Sequence, residues 1–203
     1  MDFLEEAYPF KIVGGDTSLF RYGFYSVGEH EIVKIVSVSK IENLDNVYNL
    51  GFGNLEKNED GTDFVNDSSD TNNSDFDRVL KTVFGCIAHY LKRVNGDAKV
   101  LFFGNTKHKH DLYKRMISKY IDDLLVHFEV KGAALDGDVG FIEKKQIIKR
   151  EGKEPRTRIV KEKDPETISK LMEEAELVEI DKVVEPFNAD VKDDYQFVLI
   201  KIN

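Results

Sequence analysis

The densest run of groups able to hold an anion lies just past the middle of the chain. Gly104-Asn105-Thr106 is trailed by Lys107, Lys109, Lys114 and Arg115, and Asp111 is the lone acid between Gly104 and Tyr120. A glycine-bearing turn between a strand and a helix aims backbone N–H groups at an anion, and neighbouring lysines add positive charge. The pattern Gly-x-x-x-x-Gly-Lys-Ser/Thr is absent, so this is not a P-loop. The competing reading is that Asn105 or Thr106 caps the helix and the lysines form a solvated face. A second cluster, Asp70-Thr71-Asn72-Asn73-Ser74-Asp75-Phe76-Asp77, has carboxylates and amides suited to a divalent cation. The EF-hand pattern fails there, because glycine is missing at its sixth position and glutamate at its twelfth. Helix capping by Ser74 or Asp75, with turns at Asn72 and Asn73, is the plainer expectation.

Other reactive residue types give weaker signals. His108 and His110 lie two apart with no Cys or Glu at a matching offset, so no metal is expected. Cys86 falls inside an amphipathic stretch and is expected to be buried and inert. From Lys144 to Lys163 nine basic residues face three acids, Glu151, Glu154 and Glu162. A basic hairpin can follow a nucleic-acid backbone. No aromatic residue is interleaved from Glu143 to Asp164, which removes the base-stacking platform.

Hydrophobic periodicity supplies the elements that must position these groups. Leu19 to Ser39 reads as a β-hairpin turning at Val27-Gly28-Glu29-His30, and Val47 to Phe52 as a third strand with Tyr48, Leu50 and Phe52 on one face. Asn54 to Asn73 is polar. Between Glu56 and Asp77 eight acids stand against Lys57 alone, and residues 54–73 are expected to form an exposed acidic loop. Phe76, Val79, Leu80, Val83, Ile87 and Leu91 recur at helical spacing up to Asn95-Gly96. Val100–Phe103 reads as a central strand, His108–Leu125 as a helix burying Leu112, Met116, Tyr120 and Leu124, and Val126–Val130 as a further strand. Residues 135–180 read as an insertion holding a hairpin (141–150 with 157–161) and a short helix begun by Asp164-Pro165. Tyr195–Ile202 closes the chain as a strand apolar on both faces.

The expected fold is therefore α+β in a single domain over residues 1–203. An antiparallel three-stranded part opens a mixed sheet carrying two main helices, in an order akin to ribonuclease-H-like topology. A nuclease of that kind needs carboxylates on the first and central strands to hold two metals. Phe20-Arg21-Tyr22 and Phe102-Phe103-Gly104 provide none.

Composition sets the outer limits. The 203 residues are 41% hydrophobic and 33% charged, with fourteen Phe, eight Tyr and one Cys. A core of one large domain is affordable at this length, and no disulfide can form within the chain. A net charge of −9 disfavours indiscriminate attraction to nucleic acid or anionic membrane. No apolar stretch approaches the roughly 20 residues of a bilayer span. The acidic first residues do not resemble a secretory leader. A cytoplasmic protein with no membrane partner is expected.

Several motifs, taken in order, resemble a family of bacterial proteins of unknown function. They are Tyr48-Asn49-Leu50-Gly51-Phe52-Gly53, Thr71-Asn72-Asn73-Ser74-Asp75 with Val79-Leu80-Lys81-Thr82-Val83, Phe103-Gly104-Asn105-Thr106 ahead of Leu112-Tyr113, and Glu185-Pro186-Phe187 before Tyr195-Gln196-Phe197-Val198. The family's loop after Gly-Ser-Thr carries Arg-Thr-Arg-Leu-Tyr, where this chain has Lys109-His110-Asp111-Leu112-Tyr113. The resemblance implies a single domain and brings no activity.

These readings lead to one expectation and one alternative. The first is a non-enzymatic module that binds another macromolecule, a protein before a nucleic acid, without cofactor or metal. The alternative is a phosphate-handling enzyme or nucleic-acid-binding protein using the Gly104-Asn105-Thr106 turn. Candidate binding residues are Asn72, Asn73, Asp75, Gly104, Asn105, Thr106, Lys107, Lys109, Lys114 and Arg115. Convergence of Asn72, Asn73 and Asp75 with Asn105, Thr106 and Lys109 in one cleft favours a site; separation leaves each as a cap.

Overall fold

The computed structural model describes residues 3–203, except 17, 43, 68–72, 95–96, 105, 134–140, 151–152, 164–183 and 196. Its strands are β1 (Phe10–Gly15), β2 (Leu19–Val27), β3 (Glu31–Lys40), β4 (Val47–Lys57), β5 (Asp63–Asn66), β6 (Lys99–Phe102), β7 (Phe128–Ala133), β8 (Phe141–Arg150), β9 (Lys153–Lys163), β10 (Val184–Pro186) and β11 (Phe197–Ile202). The α-helices are α1 (Phe76–Arg93), α2 (Lys107–Lys119) and α3 (Ile121–Leu125). Nine of the strands form one sheet in the order β1-β2-β3-β4-β6-β11-β7-β10, with β5 paired to the far end of β4. The pairings are antiparallel apart from β4 with β6. The α+β class with a mixed sheet thus stands. One parallel pair, beside an antiparallel β6–β11 centre, does not establish the ribonuclease-H-like order.

Alternation along the strands decides where the core lies. Tyr22 and Phe24 of β2, Val36 and Val38 of β3, and Leu50 of β4 are buried on one face together with Val100, Phe102, Val198 and Ile200. Helix α1 covers that face with Val79, Leu80, Val83, Phe84, Ile87 and Leu91. Phe84 stacks on Phe102 at 5.3 Å between ring centroids. Each large apolar side chain so buried contributes about 1.5–3 kcal/mol. The buried stripe of α1 is wider than its periodicity suggests, because residues 3–10 cover its other flank. Phe3 meets Phe84 edge-on, the Tyr8 N–H donates to Thr82 Oγ1 at 2.8 Å, and the Arg78 guanidinium sits 4.0 Å from the centre of the Tyr8 ring. On the opposite face of the sheet Val47, Phe103, Phe197 and Leu199 form a second cluster, so β11 is covered on both sides, as its composition required.

Several expectations need correction. Residues 54–73 are not one loop: β4 runs on to Lys57 and pairs with β5, and Asn54 and Asn73 are buried. Polar residues form this hairpin because backbone pairing, not burial, holds it. The helix expected over 108–125 breaks at Tyr120, whose φ of −113° and ψ of 19° leave the helical region. Met116 and, in α3, Leu124 are buried as expected, and Leu112 and Tyr120 pack half-buried against the core, but His110, Lys114 and Ile117 of α2 are buried as well. The two polar residues are held inside by the buried Tyr195, whose carbonyl lies against both His110 and Lys114. β1, β5 and β10 carry no clear alternation and were not anticipated. The hairpin of β8 and β9 forms as expected, and those two strands pair only with each other among the described residues. The helix expected after Asp164 lies outside the described residues.

Candidate functional site

The apolar face of β2, β3 and β4 ends abruptly. Beyond Phe24, Val36 and Phe52 the next positions of the same parity are Ser26, Lys34 and Asn54, all at least 95% buried. This polar patch lies at the start of α1: Lys34 pairs with Asn54 across β3 and β4, and Ser26 stands two residues beyond Phe24, the β2 partner of Lys34. Two strand-to-helix junctions close over it. Asn73-Ser74-Asp75-Phe76 with Val79 form one wall, and His108, Lys109, Leu112 and Tyr113 of α2 form the other. With Lys34, Phe52, Gly53 and Asn54 as floor, they enclose a cleft of about 340 Å³.

The first wall is fixed by buried hydrogen bonds. Asn73 Oδ1 accepts from the His30 N–H at 2.8 Å, and its Nδ2 donates to Ser26 Oγ at 2.9 Å and to the His30 carbonyl at 3.0 Å. Its own carbonyl accepts from the Glu29 N–H at 3.2 Å. Asn73 thereby clamps the β2–β3 turn to the start of α1. Gly28 in that turn has no room for a side chain, since a Cβ would stand 1.6 Å from the Asn73 carbonyl oxygen. Asp75 occupies the N-cap position but makes no capping bond with its side chain. Its Oδ2 instead accepts from Ser26 Oγ at 2.6 Å and from the Tyr8 hydroxyl at 2.8 Å. Burial, with the Asp75 carboxylate beside it, holds the Tyr8 phenol above its ordinary value. Ser74 does not cap α1 either: its φ is 59° and its hydroxyl donates to Glu29 Oε1 at 2.8 Å. The capping expected of Ser74 or Asp75 gives way because tertiary partners offer these side chains stronger bonds than the helix N–H groups do.

The floor supplies the charge. Lys34 is 5% exposed, donates to Asn54 Oδ1 at 2.7 Å, and holds its ammonium 5.5 Å from the centre of the Phe52 ring. Burial pushes its pKa below the usual lysine value, the Asp75 carboxylate pulls it back, and the Lys109 charge lowers it further. Lys109, on the facing wall, donates to the Asp67 carbonyl. Both α1 and α2 begin at the rim, and helix N-termini favour negative charge nearby.

The second junction is built locally. Thr106 caps α2, its hydroxyl accepting from the Lys109 N–H at 3.2 Å. Gly104 is pressed against α2, where a Cβ would meet the His110 N at 2.3 Å, and its N–H points to His110 Nδ1 at 3.5 Å. His110 Nε2 faces the Tyr195 carbonyl at 3.3 Å, and burial with the nearby Lys114 ammonium lowers its pKa to about 4. Lys114 donates to the same carbonyl at 3.2 Å and stands 3.8 Å from Asp111. Lys107 pairs with Asp111 on the outer surface at 2.6 Å, and Arg115 is exposed.

Of the candidate residues, Asn73, Asp75 and Lys109 converge on the cleft, with Thr106 setting the start of α2. Lys107, Lys114 and Arg115 do not line it. Asn72 and Asn105 lie outside the described residues. Lys34 and Asn54 escaped the sequence reading, yet a signal existed: Lys34 shares the parity of Val36 and Val38 and so puts a charge at a core position. Cys86 is fully buried, and burial raises its thiol pKa well above the ordinary value. Among the described residues no group of three or more His, Cys, Asp or Glu is placed to hold a metal ion. Among the described residues no helix is long and apolar enough to cross a membrane.

Fold and cleft together define an α+β domain with one face of its sheet opened into a charged, aromatic-walled recess. The chain belongs to the family described as Family of unknown function (DUF6934), which matches residues 4–150. Every cleft residue falls within the match, whereas β11, at the centre of the sheet, and the motifs at Glu185 and Tyr195 lie beyond it. No curated protein and no solved structure matches the chain.

Proposed function

We propose that this protein is a binding module, not a catalyst, and that it takes up an anionic group in the cleft between the two helix starts. The reading rests on the convergence of Lys34 and Lys109, from different elements, on one recess in a chain whose net charge is −9. The groups best suited to chemistry have other duties. Asp75 Oδ2 anchors two hydroxyls, the His110 ring is spent on Gly104 and Tyr195, and Cys86 is sealed in the core. A cytoplasmic setting fits the single buried thiol.

Charge reversal separates the cleft from the outer face of α2. Thermal stabilisation by inorganic phosphate, citrate, hexaglutamate and a nucleoside monophosphate, at constant ionic strength, is measured for Lys109→Glu and Lys107→Glu. The expected result is loss of anion-dependent stabilisation in Lys109→Glu and its retention in Lys107→Glu. Equal behaviour of the two variants, or no stabilisation of the wild type by any of these anions, overturns the reading.

A further inference from the structure

An anion alone does not match all of this cleft. Besides its two lysines, the recess is walled by Phe52, Phe76 and Tyr113. Phe52 lies under the Lys34 ammonium, so charge and aromatic surface are adjacent, not at opposite rims. Asp75 adds a third demand. Both of its hydrogen bonds from Tyr8 and Ser26 end on Oδ2, which leaves Oδ1 as an acceptor on the cleft wall. A carboxylate acceptor repels a bare anion but receives hydroxyl or amine donors of a ligand whose charge sits elsewhere.

Resting on the anion-cleft reading, we propose that the ligand is a nucleoside monophosphate: phosphate toward Lys34 and Lys109, base against the aromatic wall, and ribose hydroxyls or an exocyclic amine toward Asp75. Size favours a single nucleotide. At about 340 Å³ the cleft is at the small end of ligand sites, which run to roughly 300–1,000 Å³. Base-on-aromatic stacking contributes about 1–3 kcal/mol per base, so a nucleotide gains over phosphate alone. Charge disfavours a long strand. The β4–β5 hairpin beside the cleft carries Glu56, Glu59, Asp60 and Asp63, and a polyanion lying along it meets repulsion at each phosphate.

Isothermal titration of the full chain tests the assignment. The four nucleoside 5′-monophosphates, adenosine, inorganic phosphate, hexaglutamate, and a 5′-phosphorylated RNA pentamer with its 5′-hydroxyl counterpart are titrated in parallel. The best monophosphate is expected to bind at least tenfold tighter than adenosine or phosphate, and tighter than the phosphorylated pentamer. Lys34→Met and Lys109→Ala are each expected to weaken that binding at least tenfold, and Asp75→Asn to weaken adenosine and monophosphate together. Lys109 is partly exposed, so its variant keeps the test open if Lys34→Met fails to fold. Tighter binding of the phosphorylated pentamer assigns the same chemistry to an RNA end and overturns the free ligand. Binding of phosphate or hexaglutamate equal to that of the monophosphates overturns the nucleotide while leaving the anion cleft intact. Absence of binding by every anion removes both.

Discussion

The two strand-to-helix junctions look alike as sequence and work in opposite ways. Asn73-Ser74-Asp75 leads into α1 and Gly104-Asn105-Thr106 into α2, each a short polar run before a helical stripe. The second junction is local: the Thr106 hydroxyl takes the N–H of Lys109, three residues on, and Gly104 packs on the backbone of its own helix. The first is tertiary. Asn73 reaches His30, 43 residues away, and Asp75 reaches Tyr8, 67 residues away, and neither caps the helix it precedes. A polar side chain before a helix is therefore a cap only when nothing better is within reach. Here the β2–β3 turn and the N-terminal segment offer more.

The contrast breaks most visibly at Asn73. Asn73→Ala removes three hydrogen bonds and strands the His30 N–H, while the His30 carbonyl keeps the Gly28 N–H and the Ser26 hydroxyl keeps Asp75; a loss of about 3 kcal/mol is expected, from about 1–3 kcal/mol for the stranded group and about 1 kcal/mol for each of the other two bonds. Urea unfolding measures it, and a loss below about 1 kcal/mol would show that the clamp is dispensable. At the second junction the largest effect is one of pH. His110 has a folded pKa of about 4 against 6.5 unfolded, because it is buried and close to the Lys114 ammonium, with Lys107 adding to the effect and the Tyr195 carbonyl and Asp111 opposing it. The unfolded chain binds the proton more tightly, so this contribution is present above pH 6.5 and lost as pH falls toward 4. About 3 kcal/mol is at stake at 1.36 kcal/mol per unit. Chemical denaturation between pH 7 and 4.5 should show that slope, and His110→Asn should flatten it. The smallest effect belongs to the local cap. Thr106→Ala is expected to cost about 1 kcal/mol and to leave the Asn73 clamp untouched. A cost equal to that of Asn73→Ala would erase the distinction between the junctions.

Legibility in the sequence follows the same division. The strands at 19–39 and 47–52, the stripe of α1 and the two-faced β11 were readable because burial imposes a period on neighbouring residues. β1 was not, since an exposed edge strand owes its place to pairing with β2 and shows little alternation. Lys34 stood in plain view among Val33, Ile35 and Val36. Its parity with Val36 and Val38 marked it as inward-facing, but the partners it meets there, Asn54 and the ring of Phe52, are set by the register of β3 with β4.

The sequence by itself settled the long strands β2 and β3, the apolar strand β11 and the buried face of α1, because those follow from the spacing of apolar residues along a few turns or pleats. Thr106 caps α2 as its place in the sequence suggested, but tertiary structure alone decided what Asn73, Asp75 and Lys34 do. A hydrogen-bond donor or acceptor pairs with whatever the folded chain brings near, and for Asn73, Asp75 and Lys34 those partners arrive from other strands and helices.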